Sequence, residues 1–202
     1  MKHGNNQLLP VIIIVIIVVI SVAAIVSLVR TFFGGQSQTS TTVQQREDAE
    51  AALLNTSAGR AVRMTIRGEI TADEKFRTYQ IVVSPTSRSM TTYASYLDQP
   101  IDSVKLTNNT KAYEEFVYAL NRAQMMNGEP LEGDKDDIRG LCASGKVLEF
   151  ETLHNDQRVK RLWTTTCKES RGSLKANSTK LSNMFLEQIP QGSDLLKAIN
   201  KR

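Results

Sequence analysis

The stretch Val62-Arg63-Met64-Thr65-Ile66-Arg67 alternates between apolar and polar side chains. Successive residues of a β-strand point to opposite faces, so this period of two predicts a half-buried strand whose apolar residues face a core. Arg63 and Arg67 then fall on its polar face. A strand that is apolar on one side needs a second layer to cover it, and this need points to a layered domain.

Further strands and helices are predicted on both sides of this strand. A capping box at Thr42-Val43-Gln44-Gln45 starts a helix that ends before residues 55–59. The remaining predicted elements are, in chain order, strands at 62–67, 77–83 and 89–97, a helix at 112–123 ended by Asn127-Gly128, a hairpin of strands at 146–152 and 158–166, a helix at 175–188 and a short helical turn near 195–199. The order α-βββ-α-ββ-α predicts an α+β fold with helices on one face of a small antiparallel sheet.

An apolar run at residues 8–29 precedes the domain, with no charged side chain between Lys2 and Arg30. As a helix it would extend about 33 Å, enough to cross a hydrocarbon core of about 30 Å. This length favours an uncleaved signal anchor over a cleavable signal, whose apolar stretch is about 7–15 residues. A pilin-type tail is the third alternative, but Leu8-Leu9-Pro10 stands where type IV pilins carry Phe-Thr-Leu-Ile-Glu.

The chain is therefore expected to have four segments. They are an N-terminal tail and transmembrane anchor at 1–33, a flexible Gly/Ser/Thr/Gln linker at 34–41, a juxtamembrane helix at 42–59 and an extracytoplasmic α+β domain at 60–202. Positive charges flank both ends of the anchor almost equally, so the positive-inside rule does not fix its orientation. We expect the C-terminal domain outside the cytoplasm, because a sole N-terminal anchor commonly tethers exported domains.

Cys142 and Cys167 lie at the outer ends of the predicted hairpin, so its pairing would bring them close together. Outside the cytoplasm a disulfide is favoured over two buried free thiols. Such a bond would close a loop of about 25 residues and contribute roughly 3 kcal/mol to stability. Two thiols without a second pair or nearby histidines do not form a zinc site, so no metal is predicted.

The charge and motif content argues against several classes of function. Beyond Arg30 the chain has 23 basic and 21 acidic residues, a balance too even for a nucleic-acid-binding protein. The histidines His3 and His154 suggest no Ser-His or Cys-His pair. The acidic loop at 129–137 could bind Ca²⁺, but Gly145 stands where a helix–loop–helix calcium loop needs its glutamate. We therefore predict a domain that is not an enzyme and has no cofactor.

Three arginines are the candidate ligand-binding residues. Arg63 and Arg67 project from the polar face of one strand, and Arg77 begins the next. If neighbouring strands align them, they form a cationic face for an anionic wall polymer or for lipid headgroups. The alternative is a solvated sheet face with no ligand.

Four motifs of the domain resemble those of one group of proteins. They are Arg88-Ser89-Met90-Thr91-Thr92-Tyr93, Phe116-Val117-Tyr118-Ala119-Leu120, Asp137-Ile138-Arg139-Gly140-Leu141-Cys142-Ala143-Ser144-Gly145 and Leu162-Trp163-Thr164-Thr165-Thr166-Cys167. Over residues 60–190 the chain resembles uncharacterised single-pass membrane-anchored proteins of Saccharibacteria-type episymbiotic bacteria. The resemblance implies a bacterial surface setting and carries no activity or site residue.

The leading functional hypothesis is a non-catalytic binding or assembly module at the cell surface. The alternative is a bitopic subunit of an envelope secretion or pilus machine, followed by an envelope hydrolase. The expected partners are the lipid bilayer, through residues 8–29, and another envelope protein or an anionic wall polymer.

Overall fold

The computed structural model describes residues 47–96, 98–168 and 172–199. The predicted tail, anchor and linker at 1–41 and the start of the helix predicted from Thr42 lie outside the described residues. Within them, no helix has the length and apolar character needed to cross a membrane.

The described residues form an α+β domain built on a six-stranded antiparallel sheet. Its strands are β1 (Arg60–Arg67), β2 (Arg77–Val83), β3 (Ser87–Ala94), β4 (Gln99–Thr107), β5 (Val147–His154) and β6 (Gln157–Thr165). Their order across the sheet is β4-β3-β2-β1-β5-β6. Strand β1 therefore pairs with β2, its neighbour in sequence, and with the much later β5.

In the described part of the chain, four α-helices accompany the sheet, of which the first is described only from residue 47. They are α1 (residues 47–54), α2 (Thr110–Arg122), α3 (Ser178–Leu186) and α4 (Gly192–Ile199). Asparagine caps start α2 and α3: Oδ1 of Asn109 accepts from the N–H of Ala112, and Oδ1 of Asn177 accepts from the N–H of Lys180, both at 2.9 Å. An N-cap of this kind satisfies one of the free N–H groups at the start of a helix.

The core lies between the helices and one face of the sheet. Val62, Met64 and Ile66 of β1 are buried there, as their alternation predicted. Phe185 of α3 contacts both neighbouring layers, since its ring centroid lies 6.1 Å from that of Phe150 in β5 and 5.3 Å from that of Phe116 in α2. The antiparallel α+β class predicted from the sequence is confirmed.

The sheet has one strand more than predicted, because β4 was missed. Its side chains are exposed or half-buried throughout, and it contains Pro100, so the alternation that marks a strand is weak. The preceding strand also ends earlier than expected: β3 stops at Ala94, and Ser95 takes a positive φ of 62° in the turn that leads to β4. The observed order is α-ββββ-α-ββ-α-α.

The predicted C-terminal hairpin is present as β5 and β6. Asn155 and Asp156 connect the two strands, and both have positive φ, 50° and 62°. Positive φ at both central residues is typical of the type I′ turn, whose twist matches that of antiparallel strands. The turn sets the register of the hairpin and therefore which residues of β5 and β6 lie side by side.

Candidate functional site

The face of β1, β5 and β6 that is turned away from the core carries arginines and glutamates in register. Arg63 lies opposite Glu151, and Thr65 lies opposite Glu149. On the other side of β5, Glu151 lies opposite Arg161. Because directly opposite residues of antiparallel strands share a face, the acids of β5 lie between arginines of its two neighbours.

Glu151 binds two guanidinium groups, one from each side. The Nε of Arg63 donates to its Oε2, and the Nε of Arg158 donates to its Oε1 at 2.5 Å. The Glu151 side chain is only 2% exposed, whereas those of Arg63 and Arg158 are 22% and 50% exposed. A carboxylate this deeply buried needs such partners, because burying it alone would cost several kcal/mol. We call these three residues the Glu151 triad.

Glu149 also binds two guanidinium groups. Its Oε1 accepts from Nε of Arg67 at 3.0 Å, and its Oε2 accepts from Nη1 of Arg161 at 3.1 Å. Two further acids belong to this group: Asp136 lies 2.7 Å from Arg161, and Asp98 lies 4.0 Å from Arg67. We call these five residues the Glu149 cluster.

The two groups differ in their balance of charge. The Glu151 triad has two guanidinium groups and one carboxylate, and no other described acid forms an ion pair with Arg63 or Arg158. In the Glu149 cluster two guanidinium groups meet three carboxylates. The positive charge of this face is therefore concentrated at the triad.

The acidic loop between α2 and β5 is attached to the side of the sheet that carries the Glu151 triad and the Glu149 cluster. The sulfur atoms of Cys142 and Cys167 are 2.07 Å apart, the distance of a disulfide. This pair joins the chain just after the loop to the end of β6. Nearer the middle of the loop, Asp136 accepts a hydrogen bond from Nε1 of Trp163 at 2.8 Å. The loop is therefore fixed beside the Glu149 cluster.

One acid of this loop is engaged within the loop itself. The Nε of Arg139 donates to both carboxylate oxygens of Asp137, at 3.0 and 2.8 Å. These hydrogen bonds lower the pKa of Asp137 to about 2. Among the described residues, no group of three or more His, Cys, Asp or Glu side chains is arranged to hold a metal ion.

The structure brings Arg63 and Arg67 to one face of the sheet but places Arg77 on the other. Within β2, Arg77 shares its face with the fully buried Ile81 and Val83. The prediction of a cationic face made of all three arginines is therefore wrong, because the alternation of β2 turns Arg77 toward the core side.

Arg77 instead stabilises the turn before β2. Its Nη1 donates to the carbonyl oxygens of Glu74, at 2.7 Å, and Phe76, at 2.9 Å. The third and fourth arginines of the outer face are Arg158 and Arg161, which sequence reasoning did not single out. The predicted hairpin could have identified them, because its pairing places basic residues of β6 beside the acids of β5.

No protein-family model, curated protein or solved structure matches this chain.

Proposed function

We propose that this chain is a single-pass membrane protein whose C-terminal domain is a non-catalytic binding or assembly module outside the cytoplasm, at a bacterial cell surface. The length and apolar character of residues 8–29 support the anchor. The edge of the sheet at β4 supports a role in binding, and it is the observation that carries the proposal.

Strand β4 has nine residues and forms one edge of the sheet, hydrogen-bonded to β3 on its inner side. No described strand pairs with its outer side. An edge of this kind presents unpaired backbone N–H and C=O groups, with which an extended segment of another protein can pair. Val104 and Leu106 are half-buried against the core, whereas Lys105 is exposed. The edge therefore fits a partner strand that alternates apolar and acidic side chains.

Three features of β4 limit indiscriminate pairing. Pro100 has no N–H to donate, and the N–H of Ser103 already donates to the Asp102 carboxylate at 2.8 Å. The charge of Lys105 opposes pairing with a second copy at registers that bring the two lysines together. A protected edge of this kind favours a selected partner over self-association.

Site-specific photo-crosslinking of the full-length protein in intact cells tests this role. A photoreactive residue replaces Ser103, which is exposed on the edge, or, as a control, Lys111, which is exposed on α2. We expect one discrete adduct from position 103, none from position 111, and loss of the adduct when Lys105→Glu is added, because this change repels acidic side chains of the partner strand. Equal adducts from both positions, or an adduct that survives Lys105→Glu, would argue against the edge as a docking strand.

The alternative function is that of a bitopic subunit of an envelope secretion or pilus machine. The same edge would then be occupied permanently, and the partner would co-purify with the protein in a fixed ratio from detergent-solubilised membranes. An envelope hydrolase has less support, because Glu149 and Glu151 are both bound by guanidinium groups. Turnover of an envelope substrate by the purified protein would refute the non-catalytic reading.

A further inference from the structure

We propose that Arg63 and Arg158 form a binding site for one phosphate-class oxyanion, in which Glu151 is a positioning residue. This site lies on the outer face of β1, β5 and β6, across the sheet from the edge strand β4. It goes beyond the docking role of that edge and does not depend on it.

The first argument is the set of donors that remain free. A guanidinium group has five N–H donors, and Arg63 and Arg158 each use Nε to bind Glu151. No described residue accepts from the Nη atoms of either side chain. The Arg63 side chain is 22% exposed and that of Arg158 is half exposed, so solvent reaches both guanidinium groups. Both arginines therefore keep accessible donors for a ligand.

The second argument is that these donors are already positioned. Glu151 is almost completely buried and binds one guanidinium group with each carboxylate oxygen. Two long side chains that would otherwise sample many rotamers are held on the same carboxylate. A ligand that binds both then loses less conformational entropy than it would on free arginines.

The third argument is charge. The triad has an excess of one positive charge, whereas the Glu149 cluster on the same face has more carboxylates than guanidinium groups. An anion is therefore attracted to Arg63 and Arg158 and not to Arg67. Phosphate fits best, because guanidinium groups bind its oxygens in pairs and it offers more than two oxygens to share between two arginines.

Titration of the full-length protein in detergent with inorganic phosphate, at constant ionic strength, tests the site. Resonances of the arginine Nε–H groups are followed by NMR. We expect a saturable shift of Arg63 and Arg158, with affinity reduced about tenfold or more in Arg158→Gln. The matched control is Arg67→Gln, which removes a comparably exposed arginine of the same face and should leave the affinity within about twofold.

A second variant distinguishes a loss of phosphate binding from a loss of the fold. Arg158→Lys keeps the charge but not the planar fork, so we expect an intermediate affinity with an unchanged unfolding midpoint. Absence of a saturable shift in the wild-type protein, or an equal loss of affinity in Arg67→Gln, would overturn the proposal.

Two competitors identify the source of the phosphate group. Displacement of inorganic phosphate by dihexanoyl phosphatidylglycerol, but not by dihexanoyl phosphatidylcholine, would identify a lipid headgroup. Much tighter binding of a polyphosphate chain than of inorganic phosphate, at equal phosphate concentration, would identify an anionic polymer. Either result supports the site, and failure of every phosphate probe refutes it.

Discussion

The indole N–H of Trp163 donates to the carboxylate of Asp136 across 2.8 Å, and through this bond the acidic loop reaches β6. Trp163 is 2% exposed, so its N–H needs a partner inside the protein. The same carboxylate also pairs with Arg161 at 2.7 Å. Together with the disulfide to Cys167, just beyond β6, these contacts attach the loop to this part of the chain both covalently and non-covalently.

Removing the Asp136 carboxylate should destabilise the domain. In Asp136→Ala the buried indole N–H and Arg161 both lose an acceptor, and we expect the free energy of unfolding to fall by about 1–3 kcal/mol. Denaturant unfolding measures the change. The exposed Asp134 of the same loop is the control, since Asp134→Ala should stay within about 0.5 kcal/mol of the wild type. Equal effects of the two substitutions would show that the Trp163 contact contributes nothing.

The disulfide should join the peptides of Cys142 and Cys167 in non-reducing mass analysis. Cys142→Ser should lower the free energy of unfolding by about 3 kcal/mol, because the open chain gains entropy when unfolded. Cys167→Ser and the double variant should show the same loss, and reducing agent should affect only the wild type. Full alkylation of both thiols in the folded, exported protein would contradict this prediction.

Replacement of Glu151 should destabilise the sheet. Glu151→Leu leaves Arg63 and Arg158 without their common carboxylate, and we expect a loss of about 2 kcal/mol. This loss of stability is smaller than the loss expected for a fully buried ion pair, because both arginines reach solvent. Glu129→Leu, at an exposed position, is the control. A triad that served only as surface charge would give the two variants the same unfolding midpoint.

Alkaline pH should destabilise the protein through Tyr113, which is buried in the core, and Tyr79, which packs against it. Burial raises the pKa of Tyr79 to about 12 and raises that of Tyr113 further, whereas an unfolded tyrosine titrates near 10. The folded state therefore holds these protons longer than the unfolded state, and stability falls as pH rises from about 10 to 12. Unfolding midpoints measured across this range should show the loss, and Tyr79→Phe should reduce it. A stability that stays constant up to pH 12 would contradict the assignment.

The proposed anchor and orientation predict where protease can act. In intact cells, added protease should digest the domain beyond residue 34 and leave the apolar run at 8–29 with the membrane. The mature protein should retain its N-terminal residues, since the run is too long for a cleaved signal. Protection of residues 60–202 until the cells are lysed would reverse the proposed orientation.

Local patterns were sufficient to predict β1, β2, the hairpin and the class of fold. Strand β4 could not be predicted in the same way, because a strand at the sheet edge lacks the one-sided burial that produces alternation. The error at Arg77 was avoidable: counting back by twos from Ile81 places Arg77 on the core side of β2.

The Glu151 triad could not be predicted from local pattern. Arg63 and Glu151 are separated by 88 residues, and nothing in the sequence near either one fixes the pairing of β1 with β5. Arg158 reaches Glu151 beside an irregularity in the β5–β6 register, between Thr152 and Leu153. Sequence reasoning therefore identified one arginine of the triad and missed the geometry that assembles it.

The place of β1 in the sheet also constrains how the chain folds during synthesis. Strands β1 to β4 are consecutive and antiparallel, so they can pair as soon as they emerge. Until the β5–β6 hairpin arrives, however, one side of β1 stays open and Arg63 has no carboxylate. A nascent or truncated chain that ends before Val147 would therefore expose an unsealed edge, which is the form most prone to aggregation and most in need of a chaperone.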